Sequence, residues 1–246
     1  MFSFFQKKVF LADYLHGLVD IHNHILPGID DGAKTVDESI GLINGFKNLG
    51  VTNFICTPHI MHNYYPNTPE TIKSSYDKLQ AELDKQNMVS ASLDFSAEHM
   101  IDDNFETILE NGEIMPLKND YLLVEMSYLQ ASFNFENAIE EIARHSYYPI
   151  LAHPERYIYY HKKYDVYGHL KSRGIQFQLN FLSLSGYYGS EIQKIALKLL
   201  NDGFIDFCSS DVHNQKHLNA IKEIKVSSKT LKRILPIVEH TIKTFY

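Results

Sequence analysis

Residues 19–39 read VDIHNHILPGIDDGAKTVDES, placing His22 and His24 either side of one asparagine and Asp30 and Asp31 in the loop that follows. On an extended strand, residues i and i+2 face the same way, so the two imidazoles aim at one point. Such a pair grips a metal, or it is two polar side chains on the wet face of a strand. The choice, and with it the fold, rests on what stands at the ends of the other strands.

Apolar, strand-like runs recur at 17–22 (GLVDIH), 51–57 (VTNFICT), 92–97 (SLDFSA), 121–126 (YLLVEM), 148–153 (YPILAH), 175–180 (IQFQLN) and 204–210 (FIDFCSS). Helical signals separate them. Thr35 and Glu38 form a capping-box pattern, Thr68 precedes a first-turn Pro69, and Gly50, Gly174 and Gly203 follow helix ends. In GSEIQKIALKLLNDG, Ile192, Ile195, Ala196, Leu199 and Leu200 share one face, as packing on a sheet requires. The βαβα order predicts an α/β fold with a mostly parallel sheet covered by outer helices. With no linker-like tract in 246 residues, one domain spanning 1–246 is expected, residues 1–16 forming an N-terminal extension.

The chemistry collects at the ends of these runs: His22 and His24, His59 in CTPH, Glu98 in SAEH, Glu125 in LLVEMS, His153 in LAHPERY, and Asp211 with His213 in SSDVH. Each has an ordinary structural explanation, such as a lysine partner for Glu125, a turn cap for His59 or a helix cap for Asp211. Those explanations would need a separate reason at every strand end. In a parallel barrel the C-terminal ends of all strands open onto one face, so a single fold gathers the whole set.

Composition narrows the function. The net charge is −7, with no basic stripe, which excludes the footprint of a nucleic-acid binder. The two cysteines are far apart, no signal-peptide pattern opens the chain and no apolar run is long enough to span or insert into a membrane, so a cytoplasmic protein is expected. Neither cysteine has an arginine six residues on to hold an anion beside a thiolate nucleophile; His62 follows Cys56 at that distance and Asn214 follows Cys208.

In DIHNHILPGIDDGAKTVDES, TPH, LAHPERY and SSDVHN, spread from about Gly17 to about His217, the chain resembles the polymerase and histidinol phosphatase (PHP) superfamily. The resemblance is closer to its bacterial branch of manganese-dependent tyrosine-protein phosphatases, encoded with capsule and exopolysaccharide export systems. It implies a distorted β/α barrel of about seven parallel strands holding up to three metal ions. His22, His24 and Asp211 would take the first ion, Glu98 would bridge it to a second held by Glu125 and His153, and Asp31, His59 and His213 would take the third. Manganese is the family expectation, whereas imidazoles and carboxylates without a thiolate also suit iron, zinc or magnesium.

Arg156, three residues after His153, would offer its planar fork to phosphate, against the alternative of a surface pair with Glu155 or another carboxylate. Relatives often carry a further arginine after DVHN; here QKHL leaves Lys216 or His217 in its place. Tyr64, Tyr65, Tyr157, Tyr159 and Tyr160 fall on segments near the expected mouth, and Tyr64, Tyr65 and Tyr157 are candidates to flank a phosphotyrosine ring. His99, on the opposite strand face from Glu98, reads as structural. The resemblance thus implies dephosphorylation of protein phosphotyrosine, with a membrane-anchored tyrosine kinase controlling polysaccharide assembly as partner. Rival readings are a small-molecule phosphatase acting on a compound such as histidinol phosphate, and a non-catalytic docking protein stabilised by its metals.

Overall fold

The computed structural model describes residues 8–87 and 91–246. Its strands are β1 (Lys8–Phe10), β2 (Val19–Asp20), β3 (Asn53–Cys56), β4 (His59–Ile60), β5 (Ser92–Phe95), β6 (Glu98–Met100), β7 (Tyr121–Glu125), β8 (Tyr148–Ala152), β9 (Gln176–Asn180), β10 (Phe207–Ser209) and β11 (Lys225–Ser227). Two residues separate β3 from β4 and β5 from β6, so each pair is one bent strand; Pro58, which cannot donate to a ladder, sits at the first break.

Every pairing from β2 to β10 is parallel: β2–β3–β5 in one sheet and β4–β6–β7–β8–β9–β10 in the other. The last strand returns to the first, where Asn23 bridges Val212, His24 N donates to Val212 O at 2.9 Å and Asp211 N donates to His22 O at 2.8 Å. With each bent strand counted once, seven parallel strands close a distorted barrel, and they are the seven apolar runs of the sequence.

The barrel interior follows from side-chain alternation. Tyr121, Leu123 and Glu125 occupy one face of β7, and Leu123 packs with Val19, Ile21, Ile55, Ile150, Ala152 and Phe207. Along an inward-facing column the residues change from apolar at the strand start to charged at the strand end. The helix Ser228–Phe245 closes the apolar end, its Phe245 ring 5.1 Å from Phe207 and 5.6 Å from Tyr121.

The helices obey their local signals with one difference. Thr35 Oγ1 accepts from Glu38 N at 3.2 Å, but the Glu38 carboxylate takes Lys34 N instead of completing the expected box. Thr68 and Thr71 cap the helix Pro69–Lys85 reciprocally. The helix Ser190–Asp202 buries Ile192, Ile195, Ala196, Leu199 and Leu200 and stops at Gly203, whose φ of +74° suits a residue without a Cβ. Of the expected N-terminal extension, residues 1–7 lie outside those described. The rest is built into the fold: β1 pairs antiparallel with β11, and Leu11 and Leu15 are fully buried. Among the described residues no helix is long and apolar enough to cross a membrane.

Candidate metal centre

All nine expected metal ligands meet at the C-terminal mouth of the barrel. Their ligand atoms fall into four overlapping groups: His22, His24 and Asp211; His22, Glu98 and His153; His59, Glu98 and Glu125; and His24, Asp31, His59 and His213. Glu98 stands between the groups. Its Oε1 lies 3.2 Å from His22 Nε2 and 3.1 Å from His153 Nε2, and its Oε2 lies 3.0 Å from His59 Nδ1 and 3.5 Å from His24 Nε2.

The groups interlock. His153 sits with His22 and Glu98, its Nε2 3.9 Å from Glu125 Oε2, and Glu125 also faces His59, with Glu125 Oε1 2.9 Å from His59 Nδ1. The sheet order explains the second contact, because β4 and β7 flank β6 and their terminal side chains meet above Glu98.

Two of the candidate ligands depend on an uncommon backbone. His153 has φ +35° and Asp211 φ +50°, a region costing roughly 1–3 kcal/mol for a residue with a Cβ. Both follow the end of a parallel strand, where the turn swings the side chain over the barrel mouth. Gly32 is equally constrained: a Cβ there would lie 2.1 Å from His24 O.

The imidazoles are held from behind. His24 Nδ1 is 2.7 Å from Asp30 Oδ2, and Asp30 is fixed by accepting from Gly32 N at 2.8 Å and His59 N at 3.2 Å. His22 Nδ1 is 2.8 Å from Gln178 Oε1, whose amide nitrogen donates to Leu179 O. Both contacts put the imidazole proton on Nδ1 and turn the Nε2 lone pair toward the centre. Sequence reading passed over Asp30 and Gln178 as functional residues. Gln176, Gln178 and Asn180 alternate with apolar residues in IQFQLN, a signal that this strand turns polar groups inward.

A divalent metal fits this arrangement on two grounds. Nε2 of His22 and His24, Nδ1 of His59 and His153, and one oxygen each of Glu98 and Glu125 are buried without a hydrogen-bond partner among the described residues, although ion-pair contacts lie near several of them. Unsatisfied polar atoms this concentrated are costly unless a cation binds them. The electrostatics agree. Burial pushes the His24 imidazole down, yet the Asp30 carboxylate overcomes it and raises the group to about 10; His59 lies well above its usual range through Glu125 and Glu98. Burial raises the Glu98 and Asp211 carboxyls, but neighbouring imidazoles, His22 foremost, hold both well below the ordinary range. The pocket stabilises concentrated positive charge.

Arg156 lies beside the cluster and is not a surface pair with Glu155, which is buried and accepts from Asn180 N. Its Nη1 donates to Asp211 Oδ2 at 2.8 Å, an oxygen that also accepts from Asn180 Nδ2 at 2.7 Å. The guanidinium is sandwiched between the rings of Tyr128 and Tyr188, 4.4 and 4.3 Å from their centroids. Neither tyrosine was singled out from sequence, since only the folded chain brings the segments after β7 and β9 to either face of one side chain.

The other expected contacts separate. Tyr64 is exposed at the mouth, and Tyr65 stacks on His59 at 5.4 Å and 14°. Tyr157 is instead fully buried, its hydroxyl accepting from Met126 N and donating to Ala152 O, so it supports the floor and does not meet the cavity. Tyr159 is tied to Ser127 O. His217 lines the cavity whereas Lys216 points away, exposed. His99 is buried, accepting from Met115 N and bonded to Leu123 O, and burial lowers it to about 4.

Comparison with known proteins agrees with this arrangement. Residues 18–234 match the family described as capsular polysaccharide synthesis, CpsB/CapC. CapC of Staphylococcus aureus is 32% identical over 200 residues, covering 80% of this chain and 77% of CapC. The tyrosine-protein phosphatase YwqE of Bacillus subtilis is 30% identical over 203 residues, 82% of this chain and 80% of YwqE. Crystal structures of YwqE from Bacillus subtilis and CpsB from Streptococcus pneumoniae, metal-dependent tyrosine phosphatases, include a chain that superposes with a TM-score of 0.81 at 26% identity, covering 93% of this chain and 94% of that one. An amidohydrolase from Mycoplasma synoviae, 12% identical with a TM-score of 0.56 over 98% of this chain and 92% of that one, shares the fold alone. A closed seven-stranded barrel with clustered imidazoles and carboxylates at its strand ends, matched over most of its length to these proteins, this chain belongs to the CpsB/CapC family.

Proposed function

We propose that this chain is a metal-dependent protein-tyrosine phosphatase, carried by a single domain, acting in the cytoplasm on phosphotyrosines of a membrane-anchored kinase that controls capsule or exopolysaccharide assembly. The observation that carries the reading is the convergence of nine imidazole and carboxylate ligands beside Arg156, at the floor of an open cavity of about 1360 Å³. The kinase partner rests on kinship with capsule-synthesis proteins, among them phosphatases named for phosphotyrosine.

We assign manganese to the centre, held by His22, His24, Asp31, His59, Glu98, Glu125, His153, Asp211 and His213. Bound divalent ions supply Lewis acidity, lowering the pKa of coordinated water and neutralising phosphoryl oxygens. The chain's residues do the rest. Arg156 directs its remaining N–H groups at the phosphoryl oxygens while Asp211 and the two tyrosine rings fix its plane. Tyr65, stacked on His59, and Tyr64 are placed to contact the aryl ring of the substrate. Cys56 and Cys208 are fully buried and burial pushes both thiols up, so neither supplies a thiolate nucleophile.

The deciding experiment measures phosphate release from a phosphotyrosine peptide by metal-stripped protein, before and after Mn²⁺ is restored, with histidinol phosphate in parallel. Turnover of the peptide only after metal addition is expected. Preferred turnover of histidinol phosphate would indicate a small-molecule enzyme, and retained metal without turnover of either would indicate a docking protein.

A further inference from the structure

The cavity is larger than one phosphotyrosine side chain requires. Pockets that enclose a whole drug-sized ligand run roughly 300–1,000 Å³, against about 1360 Å³ here. The excess lies over three loops, which follow β4, β6 and β7. They are tied together: His62 N donates to Asp102 Oδ2 at 2.8 Å, Ser132 Oγ to Ile101 O at 2.5 Å, and Asn134 Nδ2 to Asp102 O at 2.9 Å and Glu106 Oε1 at 3.2 Å. The middle loop is acidic. The loop after β7 carries Leu129 and Phe133, 92% and 96% exposed, the two most exposed large apolar side chains among the described residues. Both line the cavity.

We propose that this outer part of the cavity is a docking groove for the polypeptide flanking a phosphotyrosine, seating an apolar side chain on Leu129 and Phe133 and a basic one against Asp103 and Glu106. The proposal rests on the phosphatase reading and adds the sequence class of its substrate. Charge selects the occupant: among the described residues Arg156 is the only lysine or arginine lining the cavity, while Asp103 is exposed without a hydrogen-bond partner. The groove is also continuous with the metal centre, so a chain anchored there by its phosphotyrosine must leave across these loops. Exposed apolar side chains rimmed by polar groups mark contact surfaces of this kind.

The test uses the full-length, metal-loaded protein and its Leu129→Ser/Phe133→Ser and Asp103→Lys variants. Substrates are phosphotyrosine peptides of equal length with either leucine and lysine or serine and glutamate flanks, with p-nitrophenyl phosphate as a substrate without flanks. In wild type the leucine/lysine peptide should be preferred. In the double variant its KM should rise about tenfold, with kcat for that peptide and kcat/KM for p-nitrophenyl phosphate unchanged, as expected from removal of apolar contacts outside the reacting centre. Asp103→Lys should reverse the preference between the two peptides. Binding of a non-hydrolysable difluoromethylphosphonate form of the leucine/lysine peptide, followed by calorimetry, should weaken in parallel. Equal losses on peptide and p-nitrophenyl phosphate would overturn the groove and make the loops mere supports of the centre. An unchanged peptide KM would also overturn it, and an accompanying change in sedimentation would show that a second copy of the chain covers the surface. Should wild type hydrolyse no phosphoester, the phosphatase reading fails, and the calorimetric comparison still decides the groove.

Discussion

Removing the Arg156 guanidinium separates phosphate recognition from metal binding. In Arg156→Ala, Asp211 Oδ2 loses a hydrogen bond of 2.8 Å but keeps that of Asn180 Nδ2 at 2.7 Å, so the ligand stays oriented and metal content should remain near wild type. What disappears is a partly buried cation that lines the cavity beside the cluster, at the proposed phosphoryl site. Hydrogen bonds involving a charged group contribute about 1.5–3 kcal/mol, corresponding to a fall in kcat/KM of roughly 10- to 150-fold. Arg156→Lys keeps the charge but not the planar fork, and should lose about tenfold, or ~1.4 kcal/mol. Tyr188→Leu strips one face of the sandwich at 4.3 Å and should cost severalfold in the wild type. In the Arg156→Ala background it should cost almost nothing, because the side chain it holds is gone. The assay is kcat/KM on a phosphotyrosine peptide beside elemental analysis of each protein. Unchanged kcat/KM in Arg156→Ala at full metal occupancy would refute the phosphate role, and a loss accounted for wholly by missing metal would make Arg156 a support of Asp211.

His22→Ala, Glu98→Ala and Asp211→Ala should each abolish turnover and lower bound metal, measured by elemental analysis, since His22 and Glu98 are each shared between two groups and Asp211 is the only carboxylate of its group. Gln178→Leu should weaken metal affinity by about 10- to 100-fold, read by competition with a chelating dye, because His22 loses the acceptor that orients its ring; an unaltered affinity would show that packing alone aims the imidazole. The double change Cys56→Ser and Cys208→Ser should retain most activity while a strong chelator removes it in both proteins; a folded, metal-loaded, inactive double variant would point to a thiol mechanism instead.

The sequence alone determined the seven strands of the barrel and which imidazoles and carboxylates gather at their ends, but not the pairing of β1 with β11. Seven apolar runs alternate with helical segments, and a ligand at or just beyond a strand end is legible because strand periodicity and strand termini are local properties. The same locality explains the residues that sequence reading passed over. Gln178 acts by reaching His22 across 156 positions, so nothing near it in sequence names its partner; Asp30 lies only six residues from His24, but the turn that aims it, and not Asp31, at His24 Nδ1 is fixed by its further bond from His59 N across 29 positions. Tyr157 failed as a mouth residue for a related reason: its neighbours read as a loop, but the turn begun by His153 at φ +35° folds its ring beneath the site. Which histidine pairs with which carboxylate was also settled by tertiary structure, through the order of β4, β6 and β7 around the barrel and the left-handed backbone at His153 and Asp211. A linear chain encodes which side chains end its strands; their distances exist only once the ring of strands has closed, because closure brings Asn23 against Val212 and the first ligands against the last.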